Sequence, residues 1–182
     1  MPEAPPRGFP PEEFAGRLAR AQVRMAAAGL DALLLTTEPE VRYFSGFLTQ
    51  FWESPTRPWF LLVPAAGKPV AVIPAIGAEC MARSWIEDIR SWASPNPADE
   101  GVSLLAEAVR ELVGPAPRIG LPKGPETHLR QPLGDFERLQ AALPEARWGD
   151  DAGIMRALRM VKSEAEIAKI AHVCDIVSGV FE

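Results

Sequence analysis

At 182 residues, 47% hydrophobic and 24% charged, the chain has the balance of one globular domain with a sizeable core, which excludes wholesale disorder. A net charge of −5, with no Lys/Arg run interleaved with aromatics, disfavours nucleic-acid binding. The apolar stretch 59–76 is broken by Pro64, Gly67, Lys68, Pro69 and Pro74, so it cannot be a membrane-spanning helix.

Residues 1–10 carry four of the 19 prolines and no periodicity, which predicts a flexible lead-in without the basic start and apolar run of an export signal. A helix follows from Pro11, with Glu12 and Glu13 in its first turn, Phe14, Leu18 and Met25 on one face, and Gly29 as its stop. Residues 32–35 (Ala-Leu-Leu-Leu) form a buried strand, and 39–44 a turn or short helix closed by Ser45-Gly46. Strands at 59–63 and 70–73 flank a Pro- and Gly-containing connection, so part of the sheet is antiparallel. Beyond them the elements alternate: helix 77–86, strand 89–92, helix 99–112, strand 118–121, helix 134–143 and a short strand near Arg147. That order predicts an α/β fold, a single layered domain in which helices flank a mixed central sheet.

Residues 150–159 read as an interdomain connector, which divides the chain into 1–10, 11–150 and 151–182. Ser163 and Glu166 then form a capping box for a terminal helix, on which Ile167, Ile170, Cys174, Val177 and Phe181 recur at steps of three and four. Nothing upstream is left to cover that stripe, so the expectation is a polypeptide that continues past Glu182, or a stripe that packs on a second copy.

The sequence has no G-x-G-x-x-G, no G-x-x-x-x-G-K-[ST] and no G-x-S-x-G, which argues against a dinucleotide, P-loop or serine-hydrolase site. His128 in a polar loop and His172 off the apolar stripe read as solvated residues. Asp88 and Asp99 have a spacing seen in dinuclear hydrolases, but no converging His and Glu accompany them, so capping and solvation are expected for them and for Asp150-Asp151. Cys80 and Cys174, far apart among apolar neighbours, read as reduced core thiols, which suits a cytoplasmic protein. The segment from Phe51 through Trp52, Arg57 and Trp59 is different in kind. Aromatics and a guanidinium between restricting prolines have the composition of an interface hot spot or ligand wall, with plugging of the core edge as the alternative and Trp59 the core member.

Four segments in order carry a family resemblance. Residues 29–35 (Gly-Leu-Asp-Ala-Leu-Leu-Leu) with 41–47 (Val-Arg-Tyr-Phe-Ser-Gly-Phe) resemble the opening of the N-terminal domain of the creatinase/prolidase/Xaa-Pro aminopeptidase family. Residues 118–121 (Arg-Ile-Gly-Leu), 135–139 with Leu143-Pro144, and 159–167 (Arg-Met-Val-Lys-Ser-Glu-Ala-Glu-Ile) resemble its later strand, helix end and linker-helix start. Glu40 stands where Asn is usual, and Leu121-Pro122 replaces Val-Glu, departures that bear on subfamily and substrate. The resemblance implies a non-catalytic front domain of an Xaa-Pro peptidase or, alternatively, of a creatinase-like amidinohydrolase or a catalytically dead interaction module. It further implies a following pita-bread domain that holds two divalent metal ions (Mn, Zn or Co), with none in this fragment. Its other implications are a homodimer, a peptide or small amide substrate, and Phe51, Trp52 and Arg57 reaching that substrate across the dimer.

Overall fold

Helix α1 (Pro11–Ala28) starts on a proline whose missing N–H costs nothing there, and ends at Gly29, left-handed at φ 63°. The computed structural model describes residues 4–54 and 57–181. After β1 (Ala32–Leu35), Thr37 and Glu40 close a capping box on α2 (Glu38–Ser45), which Gly46 terminates at φ 73°. The hairpin β2 (Phe60–Pro64) and β3 (Val70–Pro74) leads to a 3₁₀ turn (Ala75–Gly77) and the single-turn α3 (Ala78–Met81). There follow β4 (Asp88–Trp92), α4 (Val102–Val113), β5 (Arg118–Leu121), α5 (Leu133–Ala142), β6 (Arg147–Asp150), α6 (Ile154–Met160) and α7 (Glu164–Phe181).

The strands form one sheet in the order β4-β3-β2-β1-β5-β6. Strand β2 is antiparallel to both neighbours, while β3/β4, β1/β5 and β5/β6 pair in parallel. The carboxyl ends of β1, β3, β4, β5 and β6 therefore share one edge, the edge at which β2 begins. Alternation splits the apolar side chains between two layers. Leu33, Leu35, Leu61, Val63 and Ile73 pack with α1, α2 and α6, while Leu34, Phe60, Leu62, Val72 and Ile119 pack with α4 and α5. A sheet covered on both faces explains why β1, β2 and β3 are unbroken apolar runs.

Several elements differ from their sequence reading. The helix expected over 77–86 is one turn, because Gly77 lies under Trp59, where a Cβ would approach Cζ3 to 2.2 Å, and Ser84 Oγ accepts the Ile86 N–H at 3.2 Å. The helix expected from Asp99 begins at Val102, because Glu100 is held by Trp92 Nε1 (2.8 Å), Ser94 Oγ (2.9 Å) and the Asn96 N–H (2.8 Å). Residues 150–159, read as a connector, contain α6, whose Ile154, Met155 and Leu158 are core. Cys80 and Cys174 are free thiols on the surface and not core residues, since Met81 takes the inward position of α3 and no side chain of α7 is buried. In the lead-in, Phe9 meets Phe14 edge-on at 6.2 Å. His172 is half-buried, with its shielded Nδ1 unpaired among the described residues.

The residue that joins these pieces is one the periodicity passes over. Arg17 is 2% exposed. Its guanidinium meets Glu13 at 3.0 Å and Glu166 at 3.1 Å, donates to the Tyr43 carbonyl at 2.8 Å, and lies over the rings of Phe9 (4.3 Å) and Tyr43 (4.5 Å). Tyr43 in turn donates its hydroxyl to the Leu158 carbonyl at 3.2 Å. Glu166 also completes the expected capping box, accepting the Ser163 N–H at 2.9 Å while Ser163 Oγ accepts the Glu166 N–H at 3.2 Å. Helix α7 is thus tied at its first turn, and beyond it Ile167, Ile170, Val173, Ile176, Val177, Val180 and Phe181 are 47–86% exposed.

Arg17→Met should lower unfolding stability by about 2–3 kcal/mol in urea, below the ~3–5 kcal/mol of a wholly buried pair because both carboxylates reach solvent. Arg83→Met, which removes the exposed pair with Glu79, should stay within about 0.5 kcal/mol. Equal midpoints for the two variants would contradict the central position of Arg17.

Candidate functional site

Two features sit at the carboxyl edge of the parallel strands. The first is the aromatic segment that leads into β2. Thr49 Oγ1 accepts the Phe51 N–H at 3.3 Å and opens a 3₁₀ turn over Gln50–Glu53. This turn drives Trp52 inward to 8% exposure, against Phe47 (6.5 Å) and Trp59 (5.7 Å). Phe51 points the other way, stacked on Trp59 at 6.2 Å and 41% exposed. The indole N–H groups of Trp52 and Trp59 are both shielded from solvent and have no partner among the described residues.

One guanidinium gathers three carbonyls of this segment. Arg130 donates to the Arg57 carbonyl at 2.7 Å, to the Phe51 carbonyl at 3.2 Å and to the Ser54 carbonyl, with its plane 5.1 Å above the Trp52 ring. Its own N–H is anchored on Thr36 Oγ1 at 2.9 Å, at the end of β1. Desolvation pulls its pKa down without threatening its charge. The half-buried Arg57 adds its field at Glu100. Burial would lift the Glu100 carboxyl, but the hydrogen bonds from Trp92, Asn96 and Ser94 outweigh it and hold the pKa below the usual range.

The three residues expected at a partner's substrate therefore have different surroundings. Phe51 is presented to solvent, Arg57 is half-buried, and Trp52 is buried beneath the Arg130 guanidinium. Arg130, which fixes the segment, carried no signal in the sequence beyond its place in a polar loop.

The second feature is a cleft of about 470 Å³ between α2, the loop after β5 and α6. Its lining includes two buried carboxylates, Glu40 at 5% and Asp151 at 3% exposure. Burial raises the pKa of Glu40 against the hydrogen bonds from Thr37 and the field of Arg159. Burial likewise raises Asp151, against the N–H groups of Met155 (2.8 Å) and Gly153 (3.0 Å) that it caps.

Asp88 is engaged by Arg90 at 2.9 and 3.2 Å, and Asp99 accepts the Ser103 N–H at 3.1 Å. Among the described residues no group of three or more His, Cys, Asp or Glu side chains is placed to hold a metal ion. Among the same residues no helix is long and apolar enough to cross a membrane.

Comparison with known proteins places this geometry in context. The Creatinase/Prolidase N-terminal domain family matches residues 17–161. Agropine synthesis cyclase from Rhizobium rhizogenes is 31% identical over 180 residues, covering 93% of this chain and 42% of that protein. Dipeptidase PepE from Mycobacterium ulcerans superposes with a TM-score of 0.66 at 27% identity, over 88% of this chain and 40% of the dipeptidase. A prolidase from Thermococcus sibiricus shares the fold at a TM-score of 0.74 and 17% identity, over 92% of this chain and 42% of the prolidase. The N-terminal domain of the cytoplasmic peptidase PepQ from Mycobacterium tuberculosis H37Rv shares it at 0.58 and 20% identity, over 79% of this chain and 98% of that domain. The chain thus spans about two-fifths of the cyclase, the dipeptidase and the prolidase.

Trp52→Ala should cost about 3 kcal/mol of stability, while Phe51→Ala should cost under ~1 kcal/mol. Thermal unfolding distinguishes them, and similar losses would mean that Phe51 is as structural as Trp52. For Glu40, a folded-state pKa above the unfolded one means that the folded state holds the proton more tightly. Its favourable contribution is therefore present in acid and lost as pH rises from the ordinary glutamate value through the folded one. Glu40→Gln keeps a residue able to cap, so its stability relative to wild type should improve as pH is raised above the ordinary glutamate value. A gap independent of pH, measured by urea unfolding, would contradict the burial of a charge at that position.

Proposed function

The chain belongs to the creatinase/prolidase N-terminal domain family, and from that membership we propose that it is the non-catalytic front domain of a dinuclear metal-dependent Xaa-Pro dipeptidase or aminopeptidase. The observation that carries this reading is the extent of the likeness. It takes in 98% of an isolated peptidase N-terminal domain but 40% of the dipeptidase PepE. On this reading the metal pair belongs to a following catalytic domain.

Two surfaces support a role in assembly. The exposed apolar lines of α7 would gain about 25 cal/mol for each Å² covered, by the catalytic domain or by a second copy. The segment carrying Phe51 and Arg57 lies at a sheet edge, stiffened by Arg130, and we assign it to the substrate entrance of the partner in a homodimer. There Arg57 would fork onto a substrate carboxylate, and Phe51 would pack against an apolar ring. The exposed thiols suit a reducing cytoplasm. The 31% identity to a cyclase favours a second reading, in which the parent is a non-peptidase member acting on a small amide-like substrate.

The test uses the intact parent enzyme with Xaa-Pro dipeptides. Arg57→Ala should lower kcat/KM roughly ten- to a hundredfold with little change in melting temperature. Mixing it with a variant disabled in the metal site should restore part of the activity, because one site of each mixed dimer is then complete. No recovery despite verified subunit exchange would remove the trans assignment, and no hydrolysis of any Xaa-Pro dipeptide by the metal-loaded wild type would favour the second reading.

A further inference from the structure

The path of the chain diverges at β1 and β5. From β1 it leaves through α2 on one face of the sheet toward β2, and from β5 through α5 on the other face toward β6. Where two adjacent parallel strands send their loops apart, the sheet edge stays open, and in open α/β sheets small ligands bind in that crevice. The cleft described above occupies this place, lined by Glu40 of α2, by Gly124 and Thr127 after β5, and by Asp151 after β6. Gly120 of β5 lets the β6 loop close in, since a Cβ there would lie 3.1 Å from the Asp151 Cα.

The charges of the cleft are arranged by sign and by depth. Glu40 and Asp151 are buried, whereas Arg156 and Arg159, three apart on α6, are exposed. Asp151 spends its oxygens on α6 N–H groups, but among the described residues the hydrogen bonds of Glu40 go to Thr37, whose backbone N–H lies at 3.4 Å, with Arg159 acting through its field. Neither arginine has a side-chain hydrogen bond or ion pair among the described residues. The other charged side chains of the lining are Lys162, tied back to the carbonyls of Arg159 and Met160, Asp150, which accepts the Ala152 N–H at 2.7 Å, and the exposed Glu126.

We propose that this cleft binds a small zwitterion, an amino acid or short peptide with free termini, its ammonium directed to Glu40 and its carboxylate to Arg156 and Arg159. A simple anion would face four carboxylates, and a simple cation three basic side chains. A dipolar ligand meets an opposite charge at each end, and charge-assisted hydrogen bonds form at both. About 470 Å³ is within the range of small-molecule sites. An ammonium beside Glu40 would also offset the burial that now raises its pKa.

The experiment is an amide NMR titration of the 182-residue chain with glycylglycine and β-alanine, with acetate and methylammonium as single-charge controls. At least one dipolar probe should give saturable shifts at Gly124, Thr127 and residues 152–155, with millimolar affinity. Each control should bind at least about tenfold more weakly. The double variant Arg156→Gln/Arg159→Gln, altered only at exposed positions, should keep the spectrum of the fold and lose at least about tenfold in affinity. Glu40→Gln, read in the same titration, should weaken the dipolar probes and leave acetate unaffected. The proposal is overturned if neither dipolar probe saturates, if acetate binds as tightly as both, or if the double variant binds them unchanged.

Discussion

A guanidinium keeps its charge at any pH the protein meets, so burying one commits the surroundings to satisfying it. Arg17 imposes that demand where α1, α2 and α7 converge, and each contributes: Glu13 from its own helix, the Tyr43 carbonyl from α2 and Glu166 from α7, with the rings of Phe9 and Tyr43 against the guanidinium. Glu166 divides its two oxygens between Arg17 and the Ser163 N–H, so the cap that starts α7 and the pair that anchors it are one carboxylate. The terminal helix therefore has a fixed root and bare apolar flanks.

The same solution recurs at the sheet edge on a smaller scale. Arg130 holds three carbonyls of the segment that leads into β2 and lies over the Trp52 ring. That grip leaves Phe51 outward and Trp52 inward on consecutive positions. A shelf of this kind can offer an aromatic face and a cation without ordering them at the moment of contact, which is how a rigid paratope limits its entropic cost.

Much of the fold was legible because it rests on short-range signals. Pro11 and Gly29 bound α1, Ser45-Gly46 closes α2, the Ser163 box starts α7, and the Pro- and Gly-bearing connection turns β2 into β3. What escaped depends on contacts distant in sequence. Nothing near Gly77 announces that Trp59 will lie against it and confine α3 to one turn, and nothing near Arg17 marks a partner at Glu166. The cysteines misled for a related reason. Apolar neighbours along the chain suggested burial, but which side of a helix is covered is decided by the rest of the fold. Asp88 and Asp99, read as solvated or capping carboxylates, are each engaged by a close neighbour in sequence, Arg90 and the Ser103 N–H.

If Arg17 and Glu166 fix the direction of α7, the two native thiols report it, since Cys80 lies on α3 in the body, Cys174 midway along α7, and both are exposed. Spin labels on this pair, read by pulsed electron–electron dipolar spectroscopy, should give one narrow distance distribution in the wild-type chain. Glu166→Ala should broaden it without unfolding the domain. A broad wild-type distribution, or a narrow one that Glu166→Ala leaves unchanged, would contradict the account.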